Sequence, residues 1–139
     1  MVLAKIEPSI ASILNAKNIP FVLKSVDLEA QLAALNLPLA SYGRIDWGLV
    51  KNHACLSFSN DGHAVRALID LFNKNKLKGT VTVTWSNGIM FSMTIDASIV
   101  VEYSKQILAE DWDLWIIPEN SGWVIEKYHE GEICYTEVL

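Results

Sequence analysis

Between Thr80 and Ile95 the chain alternates apolar and polar residues with a period of two, interrupted at Asn87-Gly88. Only an extended strand places every second side chain on one face. Val81, Val83 and Trp85 therefore share a face opposite the threonines, and Ile89, Phe91, Met93 and Ile95 repeat the pattern on the return. The stretch reads as an antiparallel hairpin. Parity sets its loop. A two-residue Asn87-Gly88 turn would oppose Val83 to Ser92 and Thr84 to Phe91, mixing polar groups into the apolar face. A three-residue loop, Ser86-Asn87-Gly88, opposes Trp85 to Ile89, Val83 to Phe91 and Val81 to Met93, which predicts a bulge with Gly88 at positive φ.

The apolar face of such a hairpin needs helices to cover it, and the flanking sequence supplies about three. Ile10, Ile13 and Leu14 mark a helix over Pro8 to Lys17, ending at Asn18 before Pro20. Phe21 to Val26 reads as extended. Asp27 caps a short helix through Leu28, Leu32 and Leu35 that Pro38 terminates, and Pro38 to Asp46 reads as loop. Trp47 to Ser59 has strand character. Ser59-Asn60-Asp61-Gly62 then opens a helix whose stripe is Val65, Leu68, Ile69 and Phe72, with Lys74, Lys76 and Lys78 at or past its C-terminus and Gly79 as its stop. Asp96 caps a further helix with Ile99, Val100, Tyr103 and Ile107 facing the sheet. Three strands close the chain: Trp112 to Ile117, Trp123 to His129, and Ile133 to Leu139. Hairpin-connected strands with helices interspersed, rather than βαβ units, predict a single α+β domain over residues 1–139, its mostly antiparallel sheet covered on one face.

Composition excludes several classes. The 139 residues are 51% hydrophobic with 7 Gly and 4 Pro, enough apolar material for a core and no disordered bias. The opening Met1-Val2-Leu3-Ala4-Lys5-Ile6-Glu7-Pro8 lacks the apolar run of a secretory signal, and no stretch reaches the ~18 apolar residues of a membrane span. The expectation is a cytoplasmic protein with no membrane contact. Two cysteines, Cys55 and Cys134, are too few for a disulfide scaffold and read as free, buried hydrophobes.

No catalytic constellation stands out. His53, Cys55, His63, His129 and Cys134 lack zinc-ligand spacing, and two of them on one strand face do not make a site. Asp111 and Asp113 have a calcium-like spacing without the glycine and bidentate glutamate of an EF-hand loop. A Cys55–His pairing lacks a strained elbow or glycine-rich oxyanion loop, and no phosphate-binding glycine motif exists. Glu126, Glu130 and Glu132 surround one hairpin and invite comparison with a glycosidase acid–base couple, but hairpin tips are wet, so solubilising charge is the reading preferred. No cofactor and no metal site is expected.

Charge is the strongest global feature. The chain carries 11 basic and 16 acidic residues, net −5. Residues 1–78 hold nine basic and six acidic groups, whereas 79–139 hold Lys105 and Lys127 against ten acids. Such a field repels phosphate backbones, which disfavours direct nucleic-acid binding, and it complements a basic protein. Trp85, Trp112, Trp115 and Trp123 fall in the same half. Trp112 and Trp115, an odd number apart, point to opposite strand faces, so one of them is expected to leave the core as an interface anchor.

With that general character, the closing segments Asp111-Trp112-Asp113-Leu114-Trp115-Ile116-Ile117-Pro118 and Gly122-Trp123-Val124-Ile125-Glu126-Lys127-Tyr128-His129-Glu130-Gly131-Glu132-Ile133 resemble the bacterial immunity proteins that neutralise contact-dependent growth inhibition toxins. The resemblance lies in the style of the last thirty residues rather than in one motif. It implies a stoichiometric inhibitor of a cognate toxin domain, commonly a basic nuclease, and not an enzyme. The residues expected to meet that partner are Asp111, Trp112, Asp113, Trp115, Glu119, Glu126, Glu130 and Glu132. Two other classes stay open: a small cytoplasmic enzyme using Cys55 or a carboxylate pair, and an oligomeric adaptor. The oligomeric state is not legible in the sequence.

Overall fold

A computed structural model describes residues 4–40, 43–120 and 122–138. Of the readings above, Met1, Val2 and Leu3 of the opening segment, Ser41 and Tyr42 of the expected loop, Ser121 of the expected turn and Leu139 of the last strand lie outside them.

The architecture is α+β, built on one antiparallel sheet. In chain order the elements are α1 (Ile10–Ala16), β1 (Val22–Lys24), α2 (Leu28–Ala34), a 3-10 turn (Trp47–Leu49), β2 (His53–Ser57), α3 (Asp61–Lys74), β3 (Thr80–Trp85), β4 (Ser92–Asp96), α4 (Ala97–Glu102), α5 (Ser104–Ala109), β5 (Leu114–Pro118), β6 (Trp123–Tyr128) and β7 (Glu132–Glu137). Among the described residues, seven strands run in the order β1-β4-β3-β5-β6-β7-β2, every neighbouring pair antiparallel. The edges are therefore β1, three residues long, and β2.

Strand alternation divides the sheet into two faces. Val81, Val83, Trp85, Met93, Ile95, Leu114, Ile116, Trp123, Ile125, Ile133 and Tyr135 point to the first, where α1, α3, α4 and α5 bury Leu14, Leu68, Phe72, Val100 and Ile107 against them. The second face is also covered, contrary to the one-sided sheet expected. Trp115, Ile117, Val124 and Cys134 pack there beneath Leu32 of α2 and Ile45 and Trp47 of the following segment. Its polar groups are paired in place. Thr82 bonds Thr94 at 2.9 Å and Thr84 bonds Ser92 at 2.8 Å, which removes the desolvation penalty of hydroxyls buried between strands.

Local chemistry explains the boundaries, with five corrections. Asp27 accepts from Ala30 N, Asn60 from His63 N and Asp96 from Ser98 N, each satisfying an orphan helix donor. The β3–β4 register opposes Val83 to Met93 and Val81 to Ile95, so the parity argument holds but the loop is longer than three residues. Ile6 explains the lengthening: its N–H donates to Ile89 O and its carbonyl accepts from Phe91 N, drawing the connection out of the ladder. Gly88 is not at positive φ. Helix α3 is turned by Lys76 at φ 51 rather than by Gly79, with Leu77 N donating back to Phe72 O. The helix expected after Asp96 is interrupted at Tyr103 into α4 and α5. Finally, β2 is confined to His53–Ser57, because Asn52 adopts φ 56 after the 3-10 turn.

The cysteines are not free. Cys55 of β2 lies directly opposite Cys134 of β7, and the two form a disulfide across 79 residues of sequence. Phe58 N donates to Gly131 O, so by alternation Cys55–Cys134 occupies a non-hydrogen-bonded site, where facing side chains come closest. Cys134 is buried as expected, whereas Cys55 is exposed on the edge strand.

The Asp96 cap gives a direct test of this local account. Ser98 Oγ and Ser98 N both donate to Asp96, and in that order they hold its carboxyl below the usual aspartate range. A carboxylate whose pKa is lowered by folding stabilises at neutral pH, and that contribution is lost as pH falls through the folded pKa. Asp96→Ala is expected to cost about 1 kcal/mol at pH 7 in urea denaturation, and its deficit relative to wild type should shrink at acidic pH.

Candidate functional site

The carboxylates of the acidic half have sharply different fates, and Glu126 marks one extreme. On β6 it shares the second face with Val124 and is 1% exposed. Its Oε1 accepts from Arg44 Nε at 3.1 Å and Trp47 Nε1 at 2.8 Å; its Oε2 accepts from Ile45 N at 2.8 Å and Trp115 Nε1 at 2.7 Å. A carboxylate offers about four lone-pair positions, and here each meets a donor. Glu126 thus pins residues 44–47 onto the sheet. It has no capacity left to activate water, and it is not the solubilising charge expected. Trp115, 5% exposed, is likewise a core residue and leaves the list of interface anchors.

At the other extreme lies the end of the sheet where β5 begins and β6 stops. Trp112 is 71% exposed, and its parity with Trp115 is not the reason, since it precedes β5. It is nonetheless held. Asp111 Oδ1 accepts Trp112 N at 2.7 Å, while Asp111 Oδ2 accepts Ser86 Oγ at 2.9 Å and Asn87 N at 2.6 Å, tying the residue to the β3–β4 connection. Lys127 Nζ donates to the Trp112 carbonyl. The Trp112 indole lies 5.6 Å from the His129 ring, itself 4.4 Å from the Tyr128 ring, over which the Arg44 guanidinium sits at 4.0 Å.

Asp113 completes the arrangement. Its Oδ1 accepts His129 N at 2.7 Å and lies 2.9 Å from His129 Nδ1. A carboxylate only accepts, so that nitrogen carries the hydrogen and Nε2 is the acceptor of the neutral ring. An oriented imidazole of this kind is half of a nucleophilic dyad, but no hydroxyl or thiol bonds His129 among the described residues. Lys127 sits among Asp113, Asp61 and Asp111. Half-burial holds its pKa below the ordinary lysine value, against the pull of those three carboxylates toward the charged form. Beside them opens a hollow of about 400 Å³ whose lining includes Arg44, Ser86, Asn87, Asp113 and Tyr128.

Of the eight residues expected to meet a partner, Asp111, Trp112 and Asp113 converge here. Glu130 and Glu132 lie at the adjoining β6–β7 turn, exposed and half-buried. Glu119 follows β5 at the opposite end of the sheet and is paired with Lys24 at 2.9 Å. Glu126 and Trp115 are interior. The acidic half is therefore not one continuous surface. Sequence reasoning missed Asp61, Arg44, Lys127 and His129. The first two belong to the basic half and reach the site only through long-range packing, whereas the proximity of Lys127 and His129 to Glu130 was a signal available in the β6 segment.

Two of the groups weighed for a small enzyme, Cys55 and Glu126, are engaged in holding the structure together. The Cys55 sulfur is consumed in the disulfide, and so is that of Cys134, although the two cysteines and Glu132 bring ligand atoms within 4.8 Å of one another. No protein family and no curated protein matches this chain.

Removing the Glu126 carboxylate strands its donors in the interior. Glu126→Ala is expected to lower unfolding free energy by about 3–5 kcal/mol, measured by chemical denaturation, and Glu126→Gln, which keeps one acceptor oxygen, by less.

Proposed function

We propose that this chain is an immunity-type inhibitor that binds a basic toxin domain, in a cytoplasmic setting, through the sheet end carrying Trp112, and that it performs no catalysis. The observation that supports the reading is an indole 71% exposed, on a residue whose backbone N–H and carbonyl are held by Asp111 and Lys127 and whose ring lies 5.6 Å from that of His129, with Asp113 and Asp61 close to Lys127. An exposed tryptophan loses conformational freedom on binding, and one whose backbone is already held loses less of it. Aromatic anchors ringed by polar groups are where interface energy concentrates. The neighbouring hollow offers a cationic side chain of the toxin a place beside Asp113.

The acidic contribution is local: Asp111, Asp113, Asp61, Glu130 and Glu132 belong to the proposed surface, and Glu119 and Glu126 do not. No helix among the described residues is long and apolar enough to cross a membrane. The Cys55–Cys134 bridge weighs on the compartment, because such bridges persist in oxidising surroundings. The cytoplasm enters only as the place where an inhibitor of this class meets its toxin.

Co-expression with the product of the adjacent upstream reading frame tests the proposal. A complex is expected at about 50 mM salt that weakens toward about 500 mM, and Trp112→Ala is expected to lower its affinity about 30-fold, the equivalent of a 2 kcal/mol hot spot. Absence of a complex, or an unaffected Trp112→Ala variant, contradicts it.

A further inference from the structure

The two sheet edges are protected unequally. Exposed edges offer unpaired backbone groups to other strands, and chains blunt them with shortness, charge or proline. β1 has three residues and ends in Lys24, whereas β2, His53-Ala54-Cys55-Leu56-Ser57, is five residues long, exposed at every position, and free of lysine, acid and proline. The disulfide and the β7 ladder fix its inner side. Phe58 N donates to Gly131 O, so by alternation Ala54 and Leu56 direct their backbone groups toward β7, and His53, Cys55 and Ser57 direct theirs to the open side.

We infer that β2 is a homodimerisation edge, pairing antiparallel with β2 of a second copy about a two-fold axis through Cys55. The register follows from the outward groups. Cys55 opposes Cys55 and His53 opposes Ser57, so all three outward residues meet outward residues and form about six backbone hydrogen bonds. Shifting by one residue on either side opposes outward to inward groups and loses them. Charge agrees with this pairing. Nothing charged is opposed within the strand, and the antiparallel arrangement brings the end flanked by Lys51 toward the end flanked by Asp61 of the other copy. A concavity of about 1070 Å³ beside β2, lined by Ala54 and Leu56 together with Leu37 and Leu71, leaves room for incoming side chains. A five-residue pairing is a small interface, so dissociation in the micromolar range is expected.

Sedimentation equilibrium from about 1 to about 500 μM, a range that brackets a micromolar constant, is expected to carry the mass from 15.5 kDa to twice that value. Ser57→Pro removes an N–H that β7 does not use, so the fold should persist by circular dichroism while the association midpoint rises at least ~10-fold. Amide exchange at high and low concentration supplies an independent readout. His53, Cys55 and Ser57 should gain protection with concentration, and Ala54 and Leu56 should not change. A chain that stays at 15.5 kDa throughout, a dimer indifferent to Ser57→Pro, or concentration-dependent protection away from β2 would each overturn the inference.

Discussion

A carboxylate buried without partners is among the costliest defects a protein can carry, and the second layer of this molecule is organised around avoiding it. Glu126 sits in the middle of β6, on the face opposite the helices, where alternation forces it inward. Its donors come from three places: the Trp115 indole on the neighbouring strand, the Trp47 indole, and the Arg44 side chain and Ile45 N–H of a segment with almost no regular structure. That segment lies over the sheet because the carboxylate requires its donors there. An ion pair in such surroundings is weak grounds for net stability, but it selects one placement of the loop over others that apolar contact alone would permit.

The same network divides the acidic half by task. One glutamate becomes architecture, and a second, Glu119, is answered by Lys24. The carboxylates at the β5–β6 end do something different again, since Asp111 and Asp113 spend their acceptor capacity on backbone groups and on His129, fixing the path of the chain on both sides of an exposed indole. Arg44 links the regions physically, with its Nε on Glu126 and its guanidinium over Tyr128, next to His129. The proposed partner surface thus shares a cation with the interior network.

Much of the fold was legible because it rests on local rules. Alternation marked the β3–β4 hairpin, parity kept Val83 opposite an apolar residue, and Asp27, Asn60 and Asp96 stood where helix caps belong. What escaped the sequence was set at long range. Cys55 and Cys134 meet only because the chain's second strand and its last are neighbours in the sheet, an adjacency no spacing announces. Glu126 looked like hairpin-tip charge because three of its four donors lie some eighty positions upstream and a lone glutamate in a strand looks the same whether its face is wet or covered. For the site, Trp112 was identified with its flanking aspartates, while Asp61 and Arg44 were invisible for the same topological reason.

The Ile45 amide reports on this account most directly. It belongs to an irregular segment, where N–H groups ordinarily exchange through local fluctuations, yet it donates to a buried carboxylate. If Glu126 organises the second layer, Ile45 N–H should exchange in native-state hydrogen exchange as slowly as the central amides of β5 and β6, opening only with global unfolding. Exchange at the rate of an open loop, with those strand amides still protected, would show that the layer stands without the carboxylate.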